Sequence, residues 1–332
     1  MLRLPRLDVV TPESLPEAVA ALAKPGARLV AGGTDLLPNL KHRLEAPSVL
    51  VSLSRVRELE AVTVDHDAGE LHIGAGATLT AVAQSPEVSS YAPSLSKAAG
   101  LVASPLIRNM ATLGGNVNLD TRCRYVNQTD FWRSAIGGCL KSEGDVCHVV
   151  PGGKNCVAAM SSDCVPALIS LGASLDLVGE DGPRRVAMKD YYVADGTRHT
   201  TRRAGEVTTK IVVPLPTGPR RSGYSKWTVR GSIDFPLISV ALCFELAADD
   251  VGASVTGATV VVGVLGARPR VVTRLDDVLG QPLSDPATAS ALAERVHKQC
   301  KPLANVPYEA PYRREMLRVH TRRAVEAICA GG

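Results

Sequence analysis

The stretch RLVAGGTDLLPNL, residues 28–40, decides the fold. Arg28 to Ala31 is a short strand-like run, Gly32-Gly33-Thr34-Asp35 reads as a turn, and Leu36 to Leu40 is helix-like. A strand–turn–helix is therefore predicted. Two glycines at such a turn let the backbone come close to a ligand, and the N–H groups of the turn and helix start favour an anion such as a pyrophosphate. A plain tight turn would read the same way from this segment alone.

Upstream, a strand, a helix and a strand are expected. Ser14 can cap the helix with Glu17 at its third position, Leu15, Val19 and Leu22 line one face, and Lys24-Pro25-Gly26 stops it. Downstream, Val49–Leu53 and Glu70–Leu79 read as strands. The second contains Gly74-Ala75-Gly76, but Leu79 stands where a dinucleotide fingerprint needs its third glycine, which argues against the Rossmann fold. A short helix over Ser94–Val102 precedes a second glycine turn, Ala111-Thr112-Leu113-Gly114-Gly115-Asn116. Beyond Ser161-Ser162-Asp163, a helix (Val165–Leu171) and a strand (Ser174–Val178) resume the α+β pattern. Pro214 to Arg221 reads as a linker. Antiparallel strands are expected over Tyr224–Val229, Ile238–Leu246 and Ala253–Leu265, then helices over Pro286–Cys300 and Arg313–Cys329.

From Leu119 to Asn155 no period of 2 or 3.6 persists, and such long loops in compact domains are usually functional or disordered. Aromatic residues Tyr125, Phe131 and Trp132 oppose disorder. Cys123, Cys139, Cys147 and Cys156 fall within 34 residues, with gaps of 15, 7 and 8. Four thiolates suit one iron–sulfur cluster or one structural zinc. Zinc sites usually draw ligands from close pairs, whereas every gap here is at least seven. Arg122, Arg124, Arg133, Lys141 and Lys154 against Asp130, Glu143 and Asp145 give the segment a formal excess of +2, which would offset an anionic cluster. His148, beside Cys147, could be a ligand or a donor to one; with four cysteines at hand, it reads as the donor. Cys164, Cys243, Cys300 and Cys329 are scattered and read as small buried hydrophobes.

The chain has 332 residues, enough for two domains. Its net charge of +4, from 37 basic and 33 acidic residues, and its 4% aromatic content argue against a nucleic-acid partner. The N-terminus lacks a signal-like apolar run and no stretch is long enough to span a membrane, so the chain reads as cytosolic. In that compartment, grouped cysteines are better read as metal-binding than as disulfides.

Together, Ala31-Gly32-Gly33-Thr34-Asp35-Leu36, Ala111-Thr112-Leu113-Gly114-Gly115-Asn116-Val117-Asn118, Ser162-Asp163 before Pro166-Ala167-Leu168, and Tyr312-Arg313-Arg314 resemble the flavin subunit of the xanthine dehydrogenase family of molybdenum enzymes. The resemblance runs from about Pro5 to Ile328. Asp120-Thr121-Arg122-Cys123, Asn127-Gln128, Trp132-Arg133-Ser134, Cys139-Leu140-Lys141 and Cys147-His148 are similar to one branch, the β subunits of 4-hydroxybenzoyl-CoA reductases.

The resemblance implies an α+β chain. A two-part FAD-binding domain of the PCMH, vanillyl-alcohol-oxidase-like type would span residues 1–220, with a cysteine-rich insertion at 119–157. A smaller α+β domain like the CO dehydrogenase flavoprotein C-terminal domain would follow over 221–330. It implies FAD held by Leu29, Val30, Ala31, Gly32, Gly33, Thr34, Asp35 and Leu36, by Thr112, Leu113, Gly114, Gly115 and Asn116, and by Asp163, which would accept from the adenosine ribose. Lys226 would stand near the flavin, and a 4Fe–4S cluster would sit on Cys123, Cys139, Cys147 and Cys156. Arg230 and Asp234 read as an ordinary ion pair. A molybdopterin-containing large subunit, a small subunit with two 2Fe–2S clusters and a ferredoxin donor would be partners, in a dimer of heterotrimers reducing an aromatic CoA thioester. An oxidative hydroxylase with opposite electron flow, and a zinc-stabilised binding protein without redox function, are the alternatives.

Overall fold

The computed structural model describes residues 3–331. β1 (Asp8–Val10), β2 (Ala27–Val30) and β3 (Val49–Ser52) form a parallel sheet in the order β1-β3-β2. The connection from β1 to β2 is the helix Leu15–Leu22. Ser14 Oγ accepts from the Glu17 N–H at 3.4 Å, and Ala18, Val19 and Leu22 are buried. Ligands of parallel sheets collect at the carboxyl ends of the strands. The glycine turn leaves β2 at that edge.

β4 (Val62–Asp65), β5 (Glu70–Gly74), β6 (Ser174–Gly179), β7 (Gly182–Ala187) and β8 (Val207–Pro214) make an antiparallel sheet ordered β4-β5-β8-β6-β7. The run Glu70–Leu79 is not one strand. It leaves the sheet at Gly74, where a Cβ would stand 2.1 Å from the Leu59 carbonyl oxygen. Thr78 Oγ1 then accepts from the Ala81 N–H at 3.1 Å and starts the helix Leu79–Gln84.

After residues 215–219, β9 (Arg220–Trp227), β10 (Ile238–Leu246), β11 (Val255–Gly263) and β12 (Arg270–Val272) form a second antiparallel sheet, ordered β12-β11-β10-β9. The expected linker thus shrinks to five residues. β10 is apolar along most of its length because both of its faces are covered. Ala241 and Cys243 join the core built on β5, β6, β8 and the helix Cys164–Ser170. Ile238, Val240, Leu242 and Phe244 join a second core under the helices Pro286–Gln299 and Ala310–Cys329. One sheet therefore closes two cores.

Arg313, from the Tyr312-Arg313-Arg314 motif, is wholly buried. Its guanidinium donates to the carbonyls of Leu237 (3.0 Å), Val264 (2.7 Å) and Leu303 (2.6 Å), binding the last helix to the ends of β10 and β11. That motif is a structural clamp. Among the described residues, no helix is long and apolar enough to cross a membrane.

Candidate cofactor-binding site

The glycine turns meet. A Cβ on Gly32 would stand 1.8 Å from the Met110 carbonyl oxygen, and one on Gly114 would stand 2.7 Å from the Ala75 oxygen, so each glycine permits a backbone-to-backbone contact. Gly33 takes φ +69°, and the backbone N–H groups of Gly32, Gly33, Thr34, Asp35 and Leu36 find no acceptor among the described residues. Five consecutive donors around a left-handed glycine form an anion-binding concavity.

The second turn is built differently. The N–H groups of Leu113 and Gly114 donate to Ala77 and Ala75, and those of Gly115 and Asn116 donate to the Thr112 side chain and carbonyl. Thr112, Gly114, Gly115 and Asn116 line the cavity as a wall, while Leu113 is buried behind it. Asn116 Oδ1 accepts from Ser162 Oγ at 2.5 Å and from the Cys164 N–H at 3.3 Å, which joins this turn to the Ser162-Asp163 motif.

The cavity holds about 370 Å³, within the range of small-molecule sites. Each of residues 29–36 lines it, as does Asp163. Val102, Ala103, Ile107 and Phe235 supply an apolar part of its lining; Arg28, Asn118, Asp120, Arg202 and Thr208 supply a polar part. The loop after β9 packs on the Val102–Ala103 part of the wall, with Ser232 Oγ and the Ile233 N–H both donating to the Ala103 carbonyl. Arg230 and Asp234 pair within this loop, Nε to Oδ1 at 2.7 Å.

Asp163 and Lys226 are brought together. Lys226 Nζ lies 3.1 Å from Asp163 Oδ2 and 2.9 Å from the Leu101 carbonyl oxygen, and Tyr224 Oη donates to Asp163 Oδ1 at 2.7 Å. Burial raises the Asp163 carboxyl above its usual range, against the pull of Lys226. Lys226 is packed behind the wall. Sequence reading treated the two as separate ligands, because nothing in a separation of 63 residues announces a pair.

The cysteines lie next door. Cys123, Cys139, Cys147 and Cys156 are all buried and line one small cavity with Tyr125, Lys141 and His148. The Val150 N–H donates to Cys147 Sγ and the Ala158 N–H to Cys156 Sγ, each at 3.4 Å. Burial pushes the Cys123 thiol up to about 11, with the other three cysteines adding to the rise. Among the described residues, no three His, Cys, Asp or Glu side chains converge on a point that could hold a single metal ion. Tetrahedral zinc at 2.3 Å needs sulfurs about 3.8 Å apart. His148 turns Nε2 to the Gly138 carbonyl at 2.7 Å and packs on Tyr125.

The segment was expected to be irregular throughout, but it contains one helix. Thr129 Oγ1 accepts from the Trp132 N–H and caps the six-residue helix Asp130–Ala135, too short for a periodicity to reveal. From that helix, Arg133 donates to the carbonyls of Gln128, His42 and Arg43, tying the loop to the first sheet's side.

Two residues join the cavities. Arg122 lines the large cavity beside Cys123, pairs with Asp35, and lies 4.7 Å over the Phe235 ring. Lys141 lines the cysteine cavity and donates to Asp120 Oδ1 (2.6 Å), Thr121 Oγ1 (2.5 Å) and the Gly196 carbonyl (2.7 Å). Neither bridge was legible in sequence.

A free-donor turn at the carboxyl end of a parallel strand, opening on a cavity with both apolar and polar lining, is the arrangement of a nucleotide-binding protein. Residues 5–216 match the FAD binding domain in molybdopterin dehydrogenase, and residues 224–328 match the CO dehydrogenase flavoprotein C-terminal domain. The chain belongs to the FAD-binding subunits of the molybdenum hydroxylase and CO dehydrogenase family.

It is 31% identical over 324 residues to the carbon monoxide dehydrogenase medium chain of Afipia carboxidovorans, covering 96% of this chain and 95% of that one. It is 26% identical over 311 residues to the nicotinate dehydrogenase FAD-subunit of Eubacterium barkeri, covering 91% and 90%. The structure of a cyanide-inactivated Cu,Mo-CO dehydrogenase superposes with a TM-score of 0.79 at 25% identity, covering 99% of this chain and 100% of that one. Quinoline 2-oxidoreductase from Pseudomonas putida 86 superposes at 0.77 with 25% identity, covering 99% of each. The two-part FAD-binding fold with its smaller C-terminal α+β domain is thus as expected.

Proposed function

We propose that the chain is an electron-relay subunit holding FAD in the large cavity and a 4Fe–4S cluster on Cys123, Cys139, Cys147 and Cys156, within an enzyme of the 4-hydroxybenzoyl-CoA reductase kind. The observation that carries the relay is adjacency: Arg122 lines one cavity and Cys123 the other. When bound, the two groups supply one- and two-electron redox exchange; the protein positions them and sets their surroundings.

The residues present fit both. The free N–H groups of 32–36 receive the FAD diphosphate, and the walls at Val102, Ala103, Ile107 and Phe235 take the flat ring. Asp163, which the resemblance assigned to the adenosine ribose, is placed in this reading beside the ring instead, because both of its oxygens are held by Tyr224 and Lys226. Four buried thiols line one cavity, two of them receiving backbone N–H bonds, and their sequence spacing, with every gap at least seven, favours a cubane over zinc. Lys141 brings a positive charge to the same cavity. In this reading the FAD domain is 1–220 with its insertion at 119–157, and the second domain is 221–330. The assembly is a cytoplasmic heterohexamer with a molybdopterin subunit, a 2Fe–2S subunit and ferredoxin as donor.

Direction of flow has two supports. The names of the relatives, nicotinate dehydrogenase and carbon monoxide dehydrogenase among them, favour an oxidative enzyme. The cysteine segment's resemblance to the reductase branch favours inward delivery to an aromatic CoA thioester. Anaerobic assay of the whole complex with 4-hydroxybenzoyl-CoA and reduced ferredoxin is expected to give the dehydroxylated thioester. No turnover there, with turnover of an N-heterocycle by an electron acceptor, establishes the oxidative reading.

Cys139→Ser tests the cluster. Protein purified without oxygen is expected to carry about four iron atoms beyond any in partner subunits, and the variant to lose them while keeping FAD, whose turns lie outside the loop. Zinc without iron in the wild type, or unchanged iron in the variant, refutes the ligand assignment.

A further inference from the structure

The charges lining the large cavity are almost all paired. Arg28 and Glu45 hold each other, Asp35 holds Arg122, and Asp120, Asp163 and Asp234 pair with Lys141, Lys226 and Arg230. Arg202 is the exception: among the described residues it has no carboxylate within 4.0 Å. The nearby carboxylate is committed elsewhere, since Glu206 binds Arg184 through Nε (2.5 Å) and Nη2 (2.7 Å) and accepts from the Arg203 N–H at 2.6 Å. Arg202 keeps a single hydrogen bond, from Nη1 to the Glu206 carbonyl at 2.9 Å. Its remaining guanidinium donors have no protein acceptor among the described residues, and the side chain is a wall of the cavity.

A partly buried cation without a counter-charge is costly unless a ligand supplies one. Burial pushes the Arg202 guanidinium below its ordinary range, with Arg28 adding to the fall and Tyr191, Glu206 and Glu45 opposing it. The residue lines the cavity with Arg28, whose charge acts on it, and with the hydrogen-bonded pair Asn118 and Thr208. A planar fork of donors is matched to phosphate oxygens and to nucleoside acceptors.

We propose that Arg202 binds the adenosine-monophosphate half of FAD, beyond the anion site formed by the free N–H groups of residues 32–36. This rests on the reading of the cavity as the FAD site. A dinucleotide then lies in the cavity with its ring against Phe235, its diphosphate at the glycine turn and its nucleotide end on Arg202.

FAD and FMN distinguish this role, because FMN lacks the adenosine-monophosphate half. The full-length chain, stripped of flavin, is titrated with each by flavin fluorescence. Arg202→Met is expected to raise the Kd for FAD by about 30-fold, roughly 2 kcal/mol at 1.4 kcal/mol per decade, and to leave that for FMN unchanged. Arg202→Lys is expected to recover part of the loss. Unchanged FAD affinity in Arg202→Met, or an equal loss for FMN, overturns the proposal, and Arg202→Gln repeats the test if the methionine variant does not fold. A wild-type chain that binds neither flavin overturns the FAD assignment itself.

Discussion

Gly32→Ala is expected to abolish useful FAD binding, raising Kd by at least about 100-fold, close to 2.8 kcal/mol. The added Cβ would stand 1.8 Å from the Met110 carbonyl oxygen, where ordinary contact begins at 3.4 Å. The two turns must part by more than 1 Å, and both are backbone, so no side chain can swing aside. That movement re-aims five N–H donors at once, each worth about 1.5–3 kcal/mol when it meets a charged acceptor. Gly218→Ala is the control, because nothing lies within 4 Å of a Cβ there and its φ is not left-handed. Equilibrium titration with FAD reads both; full affinity in Gly32→Ala would mean that the contact between the turns does not shape the site.

Lys226→Met is expected to cost about 3–5 kcal/mol of folding stability, the range for stranding one member of a buried ion pair. Asp163 and Lys226 side chains are only 4% and 6% exposed. The same change releases the Leu101 carbonyl and so loosens the Val102–Ala103 wall. The pH dependence has a definite sign. The folded Asp163 carboxyl lies above its unfolded value of 3.8, so the folded chain holds a proton that the unfolded chain has lost, and this group's contribution to stability falls as pH rises through that window. Without Lys226 the folded value climbs further, and the deficit against wild type should shrink on acidification. Urea unfolding at pH 5 and pH 8 measures it. The pair Asp163→Asn with Lys226→Met should recover most of the loss; if it recovers none, the cost is one of packing and not of charge.

What the residues announced, and what they hid, follows from the range of the interaction. The turn at 32–35 was legible because its requirement is local: a chain that reverses against another backbone needs glycine, and two of them followed a strand-like run. β10 was legible to the residue, Ile238–Leu246, because a strand covered on both faces is apolar without alternation. The end of β5 was misread because Gly74, Ala75 and Gly76 continue an apolar run, and only the distant Leu59 carbonyl explains why the strand stops. Arg202 left no trace, since an arginine in Thr201-Arg202-Arg203 looks like any solvated cation until Glu206 is seen to be occupied by Arg184. Arg313 carried a family motif yet serves the last helix, which shows that a recurring residue need not touch a cofactor. The four cysteines were legible as a group; their shared cavity was not.

The stem of the cysteine segment is two residues wide. Arg122 and Ala159 exchange backbone hydrogen bonds in both directions, at 2.8 and 2.6 Å, so the 36 residues between them leave the body of the protein and return to the same place. Closing a loop of that length costs roughly 3 kcal/mol in the length-dependent term alone, which the Arg133 bonds and the packing of its buried cysteines, Val126 and Ala158 help to offset. An excursion whose ends already touch behaves as a cassette. A lineage could acquire or discard it through one insertion or deletion, leaving the sheets on either side in register, and the same flavin scaffold could thereby be rewired to a different redox partner without being rebuilt.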